Sequence, residues 1–531
     1  MSTLVYYTAW SMYGRKHPPG FVPEDLNNIA YSFWKWDNEA KKIVGDDEWA
    51  DSKILPALLK TKKSRPNLKV QLSIFGWSLS YNASDAFLPQ NIDAFIGSLR
   101  QIDATYPGLF DGWSIDWEYP TNDGTNYGAK GTERMYLGQM QKLPPNTARK
   151  GDADNFLNGL RKIKAAFPNK ILSIASVAVP ERMKYNVKAV SETIDELHLM
   201  TYDFHSGSWG ETTTAHQTNP YPSTKWTFGQ SGKSLSCEGS AKHVIGLGVD
   251  PKKVFIGGVC YSRGFKGTTG LGKTAQSGVV PIKGLTINKD YWEGGIADYK
   301  TLPLKDHSEM VDPETKGAYC YSTKDKTIHT YDNPESIKHK AQIVKDLGLG
   351  GIIFWELTGD DLVDESRSVI MTSINELKGG STLPVSAPVS APVVPSVPVA
   401  DQILLYEGEI IIKGKTYVGK IYSERGSPII YADIQNFSME PVSAPVSTPV
   451  SAPVSVPVST PMVPSVPVSA PVSAPVSVPV STPSAEVWTE GKSYSTGTMV
   501  EYMGGVYECV QSHTSLTGWN PKMVPALWRS V

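Results

Sequence analysis

Two stretches of this chain cannot build a core, and they divide everything else. Residues 384 to 400 and 441 to 483 repeat Pro-Val-Ser followed by Ala, Thr or Val, without one charged residue. Frequent proline removes backbone donors and favours an extended, polyproline-like course, so the segments 381 to 400 and 441 to 483 read as linkers. Three regions remain: a large one at 1 to 380, a short one at 401 to 440 and an end at 484 to 531. The short region contains Ile410-Ile411-Ile412, Tyr417 to Tyr422 and Ile429-Ile430-Tyr431. These runs predict a small β unit of marginal size, with no function assigned to it.

In the large region, short β-branched or aromatic runs alternate with amphipathic stretches, the pattern of α/β units with parallel strands. Strands are expected near 3 to 8, 29 to 34, 69 to 75, 110 to 117, 170 to 176, 194 to 200, 253 to 259 and 351 to 355. Eight is the count of a closed (β/α)8 barrel, whose functional residues stand at the C-terminal ends of the strands. Helices are expected at Ile92 to Ala104, Ala153 to Ala166 and Glu335 to Leu347, the last after the start signal Asp332-Asn333-Pro334.

The fourth strand carries the most informative residues, Phe-Asp-Gly-Trp-Ser-Ile-Asp-Trp-Glu-Tyr-Pro from Phe110 to Pro120. Side chains two apart on a strand share a face, which aligns Ser114, Asp116 and Glu118. Pro120 and the turn at Asn122-Asp123-Gly124 then end the strand, so two acids stand together at its tip. Ordinary glycosidases place two carboxyl groups on opposite sides of the scissile bond, about 5 to 9.5 Å apart. Neighbours on one strand approach from one side only. One acid can protonate a leaving oxygen, while the nucleophile must come from elsewhere, and a substrate's own 2-acetamido oxygen is one candidate.

The stretch resembles the Asp-Gly-x-Asp-x-Asp-x-Glu signature of family 18 chitinases, with Ser114 where that family usually has its middle Asp. Other strand ends are similar in the same order. Leu72-Ser73-Ile74-Phe75-Gly76-Trp77 resembles Ser-x-Gly-Gly-Trp, with Phe75 bringing bulk near Ser73 where the family has backbone. Met200-Thr201-Tyr202-Asp203 matches Met-Thr-Tyr-Asp, Tyr261-Ser262-Arg263 resembles Tyr-Gly-Arg, and Gly351 to Glu356 resembles the last strand with its Trp. The roughly 70 residues between Tyr261 and Tyr331 exceed a plain loop. They resemble an α+β insertion, placed at about 265 to 330, that deepens the cleft of many bacterial-type members.

The resemblance implies a retaining, substrate-assisted chitinase, for which family 18 is an established exception to the two-sided arrangement. It makes Glu118 the general acid and later base, its pKa raised by the adjacent Asp116 charge. Asp116 would bond the acetamido N–H, Tyr202 the acetamido oxygen and Asp203 the sugar. Trp355 would floor the cleaved ring, with Met200, Trp77, Tyr261 and Arg263 as further substrate contacts. Ser114, Ser73 and Tyr6 would hydrogen-bond Asp116.

The end of the chain, with Thr498 to Tyr502, the Gly504-Gly505 turn, Val506 to Val510, Trp488 and Trp528, is similar to family 5/12 carbohydrate-binding modules. Gln511 and His513 stand where some of those modules carry an exposed Trp and Tyr. Trp519, beside Pro521, is the best candidate for a stacking face. Tyr507 and Trp528 are either further candidates or core.

Charge agrees with a neutral polymer as partner: 51 basic against 53 acidic residues give −2, with no pull toward nucleic acid or anionic membrane. Fourteen Trp and 25 Tyr supply flat faces for sugar rings. Cys237, Cys260, Cys320 and Cys509 lack metal-ligand spacing, so no metal or cofactor is expected. Buried thiols are the default, with a Cys260 to Cys320 bridge as the alternative. A monomer acting on extracellular chitin and chito-oligosaccharides is expected. Met1 leads straight into Leu4-Val5-Tyr6-Tyr7 with no visible export signal, which implies a removed leader or leaderless release. Two rival readings stay open, a chitin lectin, which the retained Glu118 opposes, and an endoglycosidase acting on N-glycans.

Overall fold

The structure, a computed structural model, describes residues 1–136, 139–228, 232–280, 282, 293–378, 402–412, 415–424, 430–433, 486–489, 492–502, 505–515, 521 and 527–530. The expected linkers fall outside these residues. Contacts separate the chain into two compact units, Met1–Val389 and Ser390–Val531.

The first unit is built on eight parallel strands: β1 (Ser2–Thr8), β2 (Asn28–Asp37), β3 (Lys69–Phe75), β4 (Gly112–Asp116), β5 (Ile171–Val177), β6 (Glu196–Met200), β7 (Val254–Val259) and β8 (Gly351–Trp355). They pair in sequence order, and β1 pairs with both β8 and β2, so the sheet closes. The period of two along each strand sorts the side chains. Val5, Tyr7, Trp113, Ile115, Leu197, Leu199, Ile352 and Phe354 point out into the main core beneath the helices. Leu4, Tyr6, Ala30, Phe255 and Ile353 form a separate cluster inside the barrel.

Helices fill the crossovers where the apolar spacing is helical. Ile92–Thr105 buries Ile92, Phe95, Ile96, Leu99 and Ile102, and Asp152–Ala166 buries Phe156, Leu160 and Ile163 on one face. Pro334–Leu347 begins with a capping box, in which Asn333 and Ser336 each satisfy the other's backbone N–H, and stops at Gly348 in the left-handed region.

Between β7 and β8 the insertion folds as a four-stranded antiparallel sheet, Arg263–Lys266, Thr327–Tyr331, Ala318–Ser322 and Ser308–Val311 in spatial order. Ser262 is absorbed there: its hydroxyl lies 3.1 Å from His329 Nδ1 and accepts the Ala297 N–H at 3.1 Å. All four cysteines are buried and free, so the alternative of a Cys260 to Cys320 bridge is not realised.

In the second unit, Gln402–Ile412, Lys415–Glu424 and Ile430–Asp433 form one antiparallel sheet. The terminal region forms a mixed sheet in which Glu486–Val487 pairs parallel with Met499–Tyr502, followed by Gly505–Cys509 and Trp528–Ser530 in antiparallel pairing. Tyr494, Val500, Cys509 and Trp528 are its core.

Candidate active site

Strand β4 delivers the acid pair to the C-terminal mouth of the barrel. Asp116 is its last residue and Glu118 follows, with 3% and 8% of their surfaces exposed. Ser80 and Asn146 hold this segment, and neither was legible as a functional residue because each bonds only backbone. Ser80 Oγ accepts the Glu118 N–H at 3.0 Å, and Asn146 Nδ2 donates to the Glu118 carbonyl at 3.2 Å.

Burial dominates the electrostatics. It raises Glu118 well above the usual carboxyl range, and the Asp116 and Asp203 charges push the same way. Burial alone pushes Asp116 up to about 7. The expected hydrogen bonds from Ser73, Ser114 and Tyr6 to Asp116 are not made. Asp116 Oδ1, Ser73 Oγ and Ser114 Oγ have no protein partner. Tyr6 lies beside Ser114, but its hydroxyl pairs with His198 Nδ1 at 3.3 Å. Ser114 shares the strand with Asp116 and Ser73 pairs with Ser114 from β3, so it is the direction of the hydroxyls, with Tyr6 engaged by His198, that leaves the carboxylate oxygen bare.

Phe75 also departs from expectation. Its backbone takes φ 84, the left-handed region that favours glycine, and its ring turns out to lie parallel to Phe95 at 6.2 Å. The added bulk therefore packs into the main core against Phe87 and Phe95. Gly76 follows at φ 83, where a Cβ would sit 2.6 Å from the Phe33 ring.

Strands β6 and β7 bring the next group. Tyr202 lies on Gly257, where an added Cβ would come 2.6 Å from its ring. Asp203 accepts from Arg263 Nε at 2.5 Å, from Arg263 Nη2 at 2.9 Å and from the Tyr261 hydroxyl at 2.6 Å. Tyr261 and Arg263, expected as substrate contacts, are thus buried, with the Tyr261 hydroxyl and Arg263 Nε and Nη2 on Asp203 and Arg263 Nη1 donating to Glu293 at 3.3 Å. Deeper still, the fully buried Lys340 donates to Asp332 at 2.6 Å, to the Gly257 carbonyl at 2.8 Å and to Thr218 at 2.7 Å. Thr218 in turn donates to the Thr201 carbonyl at 2.8 Å, which anchors the turn carrying Tyr202 and Asp203.

Trp355 ends β8 half-buried, with Phe33 stacked on it at 5.5 Å and 18° and with Tyr6 and Trp10 at 5.6 and 6.2 Å. Met200 is half-buried at the end of β6. Trp77 is 43% exposed beside Tyr119, and Trp209, which sequence reasoning missed, is 49% exposed with the Arg263 guanidinium 4.3 Å from its ring centre. A tryptophan in the loop just after the Tyr202-Asp203 strand end was the available signal. Among the described residues no cluster of His, Cys, Asp and Glu suited to a metal ion occurs, and no helix is long and apolar enough to cross a membrane.

Residues 2–360 match the model of glycosyl hydrolases family 18. The chain belongs to this family. It is 31% identical over 403 residues to Endochitinase 1 of Metarhizium robertsii, covering 71% of this chain and 85% of that one. Chitinase 1 of Aphanocladium album is 30% identical over 70% of this chain and 84% of its own length. An immunomodulatory active chitinase from Trichuris suis superposes with a TM-score of 0.59 at 25% identity, over 71% of this chain and all, 100%, of that one. Residues 487–529 match carbohydrate-binding module family 5/12. In that module Trp528 is 2% exposed and belongs to the core, so it offers no stacking face, because β pairing turns it inward against Tyr494 at 5.0 Å. Tyr507 is partly buried against the same core. Trp519 lies outside the described residues.

Proposed function

We propose that this family 18 enzyme hydrolyses β-1,4 bonds between N-acetylglucosamine units of chitin, with Glu118 as acid and then base. The observation that carries the assignment is the pair of buried carboxyls at the tip of β4, with Glu118 held protonated by burial and by the Asp116 charge. Glu118 gives its proton to the leaving oxygen as the substrate's acetamido oxygen closes on C1. Asp116 accepts the acetamido N–H and balances the positive oxazolinium that forms. The Glu118 carboxylate then takes a proton from water, whose oxygen opens the ring at C1 and leaves the β configuration. Tyr202 orients the acetamido oxygen, Asp203 the sugar, and Trp355, Met200 and Trp77 bear on the sugar rings.

The terminal module keeps the enzyme on insoluble chitin by raising its local concentration there. The near-neutral charge favours an uncharged polymer over nucleic acid or a membrane surface, and the enzyme acts as a monomer outside the cell. Time-resolved products from chito-oligosaccharides test the reading. With Glu118→Gln, hydrolysis should fall by about 10²- to 10⁴-fold while oligosaccharide affinity survives. Hydrolysis near the native rate would remove Glu118 from the mechanism.

A further inference from the structure

Below the acid pair, inside the barrel, runs a chain of polar groups that this chemistry does not use. Tyr6 on β1 reaches His198 Nδ1 on β6 at 3.3 Å, and His198 Nε2 lies 3.1 Å from Glu196 Oε2. Gln71 Nε2 on β3 donates to the same carboxylate oxygen at 2.7 Å, and Ser173 on β5 donates to Gln71 Oε1 at 2.6 Å. Barrel interiors are ordinarily packed with branched apolar side chains, so a polar chain here needs a reason. Its lower members are paired, whereas Ser73, Ser114 and Asp116 Oδ1 above it are not.

The chain has a direction. Gln71 donates an N–H to Glu196 Oε2, and the same carboxylate oxygen offers His198 Nε2 an acceptor. With Nε2 donating to Glu196, His198 offers Nδ1 as an acceptor, which turns the Tyr6 O–H toward His198 and away from Asp116. The groups facing His198 are Glu196 on its own strand, Tyr6 on β1 and the Phe255 ring on β7 at 5.5 Å, and the Asp116 and Glu118 charges reach Tyr6 from β4. The Glu196 side chain keeps 20% of its surface exposed, at the end of β6 away from the cleft.

We propose that His198 and Glu196 are positioning residues that hold the Tyr6 hydroxyl turned from Asp116, leaving Asp116 Oδ1 free for the substrate's acetamido N–H. The inference rests on the role given to Asp116 above. With Ser114 in place of a second carboxyl, the direction of the Tyr6 hydroxyl decides whether Asp116 is free or engaged.

His198→Leu removes the acceptor beside Phe255, and His198→Asn returns an amide oxygen near the Nδ1 position. In the Leu variant Tyr6 turns to Asp116, and a donated hydrogen bond favours the carboxylate, so the acidic limb of kcat/KM moves down by about half a pH unit or more. KM for soluble chito-oligosaccharides rises roughly 2- to 10-fold, because the oxygen that should meet the acetamido group is occupied. His198→Asn stays near native, and His198→Leu adds no further shift in a Tyr6→Phe background. A uniform loss of rate at every pH, equal in the Leu and Asn variants, would overturn the proposal. If the Leu variant fails to fold, nitrogen-15 spectra of the native imidazoles decide. An Nε2–H tautomer at His198 is expected, and an Nδ1–H tautomer overturns the assignment. Collapse of hydrolysis in Glu118→Gln alongside an unshifted His198→Leu profile would sink this inference alone.

Discussion

Asp116 and Asp203 stand at the mouths of β4 and β6 with the same functional group and opposite surroundings. Asp203 is clamped by the two-pronged Arg263 guanidinium and the Tyr261 hydroxyl. Asp116 is buried more deeply, has one oxygen with no protein partner and is pushed up to about 7. A carboxylate saturated with donors is fixed in place. A bare one stays free to take a hydrogen bond from a ligand, at a cost in stability that the surrounding core has to offset.

Removing each carboxylate should therefore hurt in a different currency. Asp116→Asn should lower kcat on soluble oligosaccharides by about 10²- to 10³-fold, the usual effect of losing one preorganised electrostatic partner. It should leave melting temperature unchanged or higher. The pH dependence follows with a definite sign. A carboxyl bound at about 7 in the native state and at about 3.9 in the unfolded chain gives the native state extra protons between those values. Its contribution is full below about pH 4 and is lost as pH rises through about 7, so native stability should decline over that window and Asp116→Asn should flatten the decline. A variant that melts earlier than the native protein at neutral pH would place Asp116 among the structural acids and erase the contrast.

Asp203→Asn should do the reverse. It leaves the Arg263 side chain, only 8% exposed, with Glu293 at 3.3 Å as its remaining counter-charge, while Asp203 itself is 37% open to solvent. Denaturant midpoints should record a loss on the order of 1 to 2 kcal/mol, less than for a fully buried pair because solvent and Glu293 still screen the guanidinium. Stability within experimental error of native would mean that the clamp is not what holds the β6 turn.

Ser114→Asp sharpens the comparison by giving Asp116 a charged neighbour on its own strand face. Two carboxyls that close share a proton, so one apparent pKa should rise and the acidic limb of the pH-rate profile should move by about one unit. An unchanged profile would show that position 114 does not communicate with Asp116. The smallest effect belongs to Ser114→Ala: a hydroxyl without a partner has no hydrogen bond to lose, and kcat/KM should change by less than about 0.5 kcal/mol in free-energy terms.

The positions of the eight strands, the placing of Ser114 and Asp116 two apart on one strand with Glu118 just past its end, and the uncharged Pro-Val-Ser segments were determined by the sequence by itself. Each is a local property: a period of two needs only neighbouring residues to be read, and proline acts on its own peptide unit. Tertiary structure alone decided which groups meet across the barrel. Tyr261 and Arg263 close on Asp203 because the ends of β6 and β7 are brought together, and Phe33 stacks on Trp355 only because β1 pairs with both β2 and β8. No spacing along the chain encodes those distances. Phe75 could be read as a bulky residue in a glycine's place, but the direction of its ring depends on a positive φ and on the pocket beside Phe87 and Phe95. Trp528 illustrates the same limit from the other side, since an aromatic residue suits a sugar face and a small core equally well until strand pairing turns it inward.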